Sequence, residues 1–304
     1  MNKRPTAALA PLSVEDPIEA APSDSRHRFF RTLWYACNFL LILSILFLLY
    51  SLAWEYSTRR YLKGFSDAIV PEGVAPSEKV AAIINWMTNG PARQRATLGG
   101  GSPDRDPTDT LNYASLLEVC GTATNAFVNL SDSAGVPARR LLLLTPQRTV
   151  KHVVAEAWVG GRWIVVDPAF RTVFHGPNGD FLTRQELTNP VVFAEATRDM
   201  RGYNPAYTFE RTSHVRAARL PVLGPLSRRI LSALIPNWDD TSFLSLLLER
   251  RSLESLMMAF VFVVLLCVVR VGLRMYGERR LGIAAMRLRY QVWRAMNTLV
   301  KTAG

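Results

Sequence analysis

Two uninterrupted apolar runs constrain everything else in this chain. Leu33 to Trp54 carries no charge over about 22 residues, and Ser255 to Val269 carries none over about 15 more before Arg270. Runs of this kind match the roughly 20 residues an α-helix needs to cross the hydrocarbon of a bilayer. If Arg270 snorkels, the second apolar stretch continues to Leu273 and crosses as well. The first run is longer than a signal-peptide core and follows a long N-terminal stretch. It therefore reads as an uncleaved anchor, even though Ser51-Leu52-Ala53 meets the small-residue rule for a cleavage site. A freely soluble globule is excluded.

Charge then suggests an orientation. The chain has 36 Lys+Arg against 25 Asp+Glu, a formal net charge of +11. Much of the excess flanks the two runs, which points to a membrane surface rather than to nucleic acid. Arg26, Arg28 and Arg31 precede the first run, while Arg270, Arg274, Arg279 and Arg280 stand at or after the second. The positive-inside rule places both ends in the cytoplasm, although Arg59, Arg60, Lys63, Arg250 and Arg251 also lie near the inner flanks. The middle of the chain is then expected outside the cytoplasm, in the periplasm of a diderm bacterium with the chain in its inner membrane. Residues 1–25 read as a mobile tail. Beyond the second run, Arg280, Arg287, Arg294 and Lys301 recur every seven residues among Leu281, Leu288, Val292, Met296 and Leu299. That is a basic amphipathic helix suited to anionic lipid, with contact to a partner or free solvation as the alternatives.

The roughly 190 residues between the spans suffice for one domain with its own core. Pro76 to Met87 repeats Val80, Ile83, Ile84 and Met87 at three and four, an amphipathic helix. Gly99 to Thr110 reads as a loop. Thr122 to Ala134 places Ala123, Ala126, Phe127 and Leu130 on one helical face and is stopped by Gly135 and Pro137. Strands are expected at Arg140 to Leu144, Val153 to Trp158 and Trp163 to Val166. The last two are joined at Gly160-Gly161, a strong signal for a two-residue hairpin. Helix followed by strand and hairpin indicates an α+β domain.

Of the three cysteines, Cys37 and Cys267 fall in the spans, so Cys120 is the single thiol of the middle domain. Taken alone, it reads as a small buried hydrophobe rather than as a nucleophile. Its position gives it chemistry. It lies where a loop turns into a helix, so its sulfur meets the positive end of the helix dipole and the unpaired first-turn amides, and these lower a thiol pKa. The Cys120 amide is also a candidate oxyanion donor. In the Gly-Gly hairpin Val159 pairs with Arg162, which places His152 opposite Ala169 and Asp167 one diagonal step away on the same face. Asp167 then orients His152 and leaves the other ring nitrogen for Cys120. The same register couples Trp158 with Trp163 in a structural cross-strand pair.

With these residues in view, the chain resembles the transglutaminase-like superfamily, whose papain-like core carries Cys, His and Asp in this order. Cys120 and its helix, followed by Ala134-Gly135-Val136-Pro137-Ala138-Arg139, look like that superfamily's nucleophile helix and its closing turn. His152 to Glu156 and Gly161 to Pro168 are similar to its H-x-x-x-E and W-x-x-x-D-P hairpin. The resemblance covers about residues 75–170. It implies a papain-like α+β domain with Cys120, His152 and Asp167 as catalytic residues. The chain departs from it at Glu118, where many members have glycine, and at Val154, where many have tryptophan. A carboxylate near the thiol raises its pKa, and the missing tryptophan bears on the substrate groove.

Other candidates are weaker. His175 and His214 stand isolated in loop-like sequence and are expected to be solvent-exposed. Glu156 shares the face of His152, either tuning it or forming a structural salt bridge. Asn112 and Tyr113 are candidates for the cleft wall. No pattern implies a metal or cofactor. The organisation expected is a cytoplasmic tail over 1–32, transmembrane helices over 33–54 and 253–273, a periplasmic transglutaminase-like domain with its membrane-proximal linker over 55–252, and a basic cytoplasmic helix over 274–304. The function expected is cysteine acyl transfer, as hydrolase or transferase, on an envelope protein or polymer. The alternative is an accessory subunit of an envelope-biogenesis or polysaccharide-secretion complex, with other membrane subunits as partners and little or no catalysis.

Overall fold

The computed structural model describes residues 25–90, 111, 119–214, 233, 246–247 and 249–281. Expectations for the N-terminal tail over residues 1–24, for the loop at 99–110, for Asn112, Tyr113 and Glu118, and for the tail beyond Leu281 fall outside them. The described chain forms α1 (Ser25–Ile69), α2 (Pro76–Asn89), α3 (Cys120–Ser133), β1 (Ala138–Leu144), β2 (Val150–Val159), β3 (Arg162–Asp167), β4 (Thr172–Val173), a 3-10 turn at Glu186–Thr188, α4 (Pro190–Ala196), β5 (Thr212–Ser213) and α5 (Arg251–Arg280). α1 and α5 are long and apolar enough to cross a membrane. Two compact units result, one from residues 1–46 with 261–304 and the other from residues 47–260.

In the first unit, Phe30 and Trp34 pack against Leu273 and Leu281. Arg270 does not extend freely toward a headgroup layer. Its Nε donates to Asn38 Oδ1 at 2.8 Å, and its guanidinium lies 5.3 Å from the centre of the Trp34 ring. A charge in an apolar span is costly, so it takes the polar and aromatic partners that the facing helix offers. Large apolar side chains such as Phe39, Ile42, Phe47, Phe260 and Leu265 remain outward on α1 and α5.

The second unit is built on a sheet of order β4-β3-β2-β1-β5, antiparallel throughout. Gly160 and Gly161 both have positive φ, 59° and 81°, as a two-residue turn between right-twisted strands requires. The register follows, with Val159 facing Arg162, Trp158 facing Trp163 and Ala155 facing Val166. On one face α2 and α3 pack on the sheet, where Ile83, Met87, Phe127 and Leu130 meet Ala155, Ala157, Ile164 and Val166. On the other, Leu141, Leu143, Val154 and Val165 are covered by Phe174, Phe193 and Phe209. A sheet buried on both faces needs strands apolar on both, which is why β1 reads Leu141-Leu142-Leu143-Leu144 without alternation.

The helices stop and start by local rules. α2 opens with Pro76, and the Ala75 amide donates to Glu78 Oε2 at 3.3 Å. α3 ends at Gly135, φ 77°, with the Val136 amide returning to the Ser131 carbonyl at 2.8 Å. α1 runs well past its apolar stretch, because its last turns are amphipathic and place Leu62, with Val70 just beyond the helix, in the same core as α2 and α3.

The far side of α3 is polar and buried. Arg250 Nε donates to Asn129 Oδ1 at 2.9 Å, and its Nη atoms lie 3.2 Å from Glu55 and 3.2 Å from Asp132. Ser252 Oγ donates to Glu55 Oε2 at 2.7 Å. Asn125 Nδ2 donates to Glu249 Oε2 at 3.0 Å, and Arg140 donates both to that carboxylate and to the Gly121 carbonyl. Glu55, Arg140, Glu249 and Arg250 are nearly inaccessible to solvent while Asp132 is partly exposed, and each buried charge is neutralised by a partner, as buried ions must be.

Candidate active site

α3 begins at Cys120. Val119 caps it in extended conformation, and its carbonyl accepts from the Thr122 and Ala123 amides at 3.1 and 3.0 Å. Cys120 is half-buried against the cluster of Leu142, Leu144 and Val153. Thr124 Oγ1, one turn further on, donates to the Val153 carbonyl at 3.2 Å and ties the start of α3 to the strand that carries His152. The β1–β2 pairing slips at this point, since Leu143 faces His152 but Leu144 faces Val150. A bulge of this kind bends a strand locally and re-aims its side chains.

His152 is 3% exposed and Asp167 is fully buried. His152 Nε2 lies 2.7 Å from Asp167 Oδ2, and the other carboxylate oxygen accepts from the amides of Ala169 and Phe170 at 3.1 and 3.2 Å. The aspartate is thus fixed by its own following turn. With Nε2 engaged by Asp167, Nδ1 is the ring nitrogen left open, and the Cys120 thiol lies close enough to His152 for the imidazole to act on its pKa. The structure brings the three sequence-selected residues together. The diagonal relation inferred from the Gly-Gly hairpin is the one that carries Asp167 to His152.

Electrostatics follow from these contacts. Burial pushes the Cys120 thiol up, but the hydrogen bond and charge of His152, with the Val153 amide, outweigh it and hold the thiol below its ordinary value. Burial pulls His152 down, yet the hydrogen bonds and charges of Asp167 and Cys120 prevail and raise it from 6.5 to about 9. The arrangement favours a thiolate beside an imidazolium, oriented by a buried carboxylate. Such a pair attacks carbonyl carbon and can return a proton to a leaving group.

The structure bears on three further sequence expectations. His214 is not solvent-exposed but 3% exposed, its Nε2 2.7 Å from Glu156 Oε2, because β5 turns it into the sheet. Glu156 also accepts from Arg139 Nε at 2.8 Å, so of its two readings the salt bridge is the one formed. Val154 is fully buried between Leu141 and Val165, so a residue there acts on the core rather than on a groove. His175 is exposed. Among the described residues no group of three or more His, Cys, Asp or Glu is placed to hold a metal. Sequence reasoning missed the aromatic residues around the imidazole, Phe170, Tyr203 and Tyr207, which carry no motif.

A helix opening on cysteine, a histidine on the neighbouring strand and an aspartate at the end of the next stand together in an α+β domain. Residues 63–168 match the family described as the transglutaminase-like superfamily, and the chain carries a transglutaminase-like domain there. No curated protein and no solved structure matches the chain.

Proposed function

We propose that the protein is a membrane-anchored cysteine acyl-transfer enzyme whose domain works outside the cytoplasm. The observation that carries this reading is the 2.7 Å contact between His152 Nε2 and Asp167 Oδ2, in an imidazole whose charge also acts on the Cys120 thiol. In the reaction the Cys120 thiolate forms a C–S bond to the carbonyl carbon of an amide or ester. The imidazolium of His152 gives its proton to the departing amine or alcohol as the C–N or C–O bond breaks, leaving a thioester. Water or an amine then attacks, His152 takes its proton, and the C–S bond breaks to restore the thiolate. Water makes the enzyme a hydrolase, an amine a transferase; the fold does not choose between them.

The location rests on α1 and α5 and on the arginines that flank them. The basic C-terminal sequence, expected as an amphipathic helix, is assigned a lipid contact, and the acyl donor is an envelope protein or polymer. Purified full-length protein assayed with amide and ester donors, with and without amines, tests the chemistry. Turnover is lost in Cys120→Ala and in His152→Ala if the reading holds, and activity that survives both overturns it. A reporter inserted at Gly160-Gly161 is active only outside the cytoplasm; activity inside reverses the proposed topology.

A further inference from the structure

Beyond the family-matched segment the chain returns to the sheet. β5 pairs with the edge of β1, Leu142 facing Ser213 and Leu143 facing Thr212, and the Leu144 amide donates to the Arg211 carbonyl at 2.9 Å. Phe209, 2% exposed, is held between Phe174 and Phe193, with ring centres 5.8 and 6.0 Å away. Lys151 Nζ, on the residue before His152, donates to Thr208 Oγ1 at 2.9 Å. These anchors lay Tyr203 and Tyr207 beside the imidazole. The Tyr207 ring is parallel to it, centres 4.2 Å apart and planes 5° apart. Tyr203 and Phe170 present their rings at steep angles, 6.2 and 5.9 Å away.

We propose that Tyr207 is a positioning residue of the Cys120–His152–Asp167 site, its ring fixing the plane of the imidazole and favouring the imidazolium form. The inference rests on His152 being the base. The terminal torsion of histidine is broad, so a hydrogen bond at one nitrogen does not by itself set the ring plane. A parallel aromatic ring sets it and keeps Nε2 toward Asp167 while Nδ1 faces Cys120. The π face is electron-rich and attracts a cation. Covering the ring also keeps water from the ion pairs with Asp167 and Cys120 and so strengthens them. The titratable groups facing the imidazole are Asp167, Cys120, Tyr203 and Tyr207. Tyr203 stays neutral, because burial and the nearby Asp167 charge push its hydroxyl far up. Tyr207 itself is only half-buried, at the border of the aromatic cluster, where a purely core role does not require a ring parallel to His152.

The test is the titration of His152 by NMR in the full-length chain in detergent, its signal assigned by loss in His152→Ala. Wild type is expected to titrate near 9. In Tyr207→Leu the midpoint falls by about one unit, a tenfold change in proton affinity, whereas Tyr207→Phe, which keeps the ring, restores it. If His152 titrates near 9 and Tyr207→Leu leaves it there, the role of Tyr207 is refuted while the base stands. If wild-type His152 titrates near its ordinary value, the base itself fails. Should Tyr207→Leu lose its folding transition, Thr208→Val, which releases only the bond from Lys151, carries the test, and an unmoved midpoint there refutes the proposal.

Discussion

Arg140 donates through Nη2 to the carbonyl of Gly121, 2.8 Å away, and so holds the residue that follows the thiol-bearing one. The same nitrogen is paired with Glu249, just before α5. Arg140 sits on β1, so one guanidinium joins the sheet, the start of α3 and the approach to the second apolar helix.

Removing one partner from this buried network leaves a charge without compensation. Glu249→Gln and Arg250→Met are each expected to cost about 3–5 kcal/mol, read as a lowered thermal transition of the full chain. A loss below about 1 kcal/mol in both would show that water or other groups already satisfy these charges.

The same network sets what can be cut out. A fragment restricted to the family-matched residues 63–168 lacks Glu55, Leu62, β5 and Arg250. It is expected to give no cooperative melting, whereas residues 47–260, one compact unit, fold. Circular dichroism on both fragments decides this, and a cooperative transition in the shorter one would contradict the dependence argued for the lower half of α1.

His214 and His175 separate cleanly. His214→Ala strands Glu156 of one partner in a buried site and is expected to destabilise by about 1–3 kcal/mol. His175 is exposed, and its replacement is expected to change stability by less than about 1 kcal/mol. Denaturant unfolding compares the two, and equal losses would overturn the distinction.

Much of this arrangement is legible in sequence because it is local. Gly160-Gly161 fixes a register, and the register alone places His152 and Asp167 on one face. The helix of Cys120 is written in Ala123, Ala126, Phe127 and Leu130, all fully buried. What is not legible depends on distant contacts. Glu55 meets Arg250 across 195 residues of chain, and nothing in either neighbourhood announces it. β5 is two residues long, too short for a period of two, so the burial of His214 and the placing of Tyr207 follow only from the folded sheet edge.

Acid–base behaviour gives a signed prediction. His152 is raised from 6.5 to about 9, so its contribution to stability is full below pH 6.5 and is lost as pH rises through about 9. The melting temperature of wild type is therefore expected to lose this contribution across that window. Asp167→Asn, which removes the charge that raises the imidazole, is expected to abolish that component of the pH dependence. An identical profile in the two proteins would contradict the pairing.

The central claim is that His152 makes Cys120 a nucleophile. Its most direct test is the rate of iodoacetamide alkylation at Cys120 against pH, read by mass spectrometry of the Cys120 peptide in full-length wild type and His152→Ala. The account predicts rapid alkylation of wild type well below pH 8 and a midpoint moved up toward the ordinary thiol value of about 8.5 in the variant. The same midpoint near that value in both proteins, or no labelling until denaturation, would contradict it.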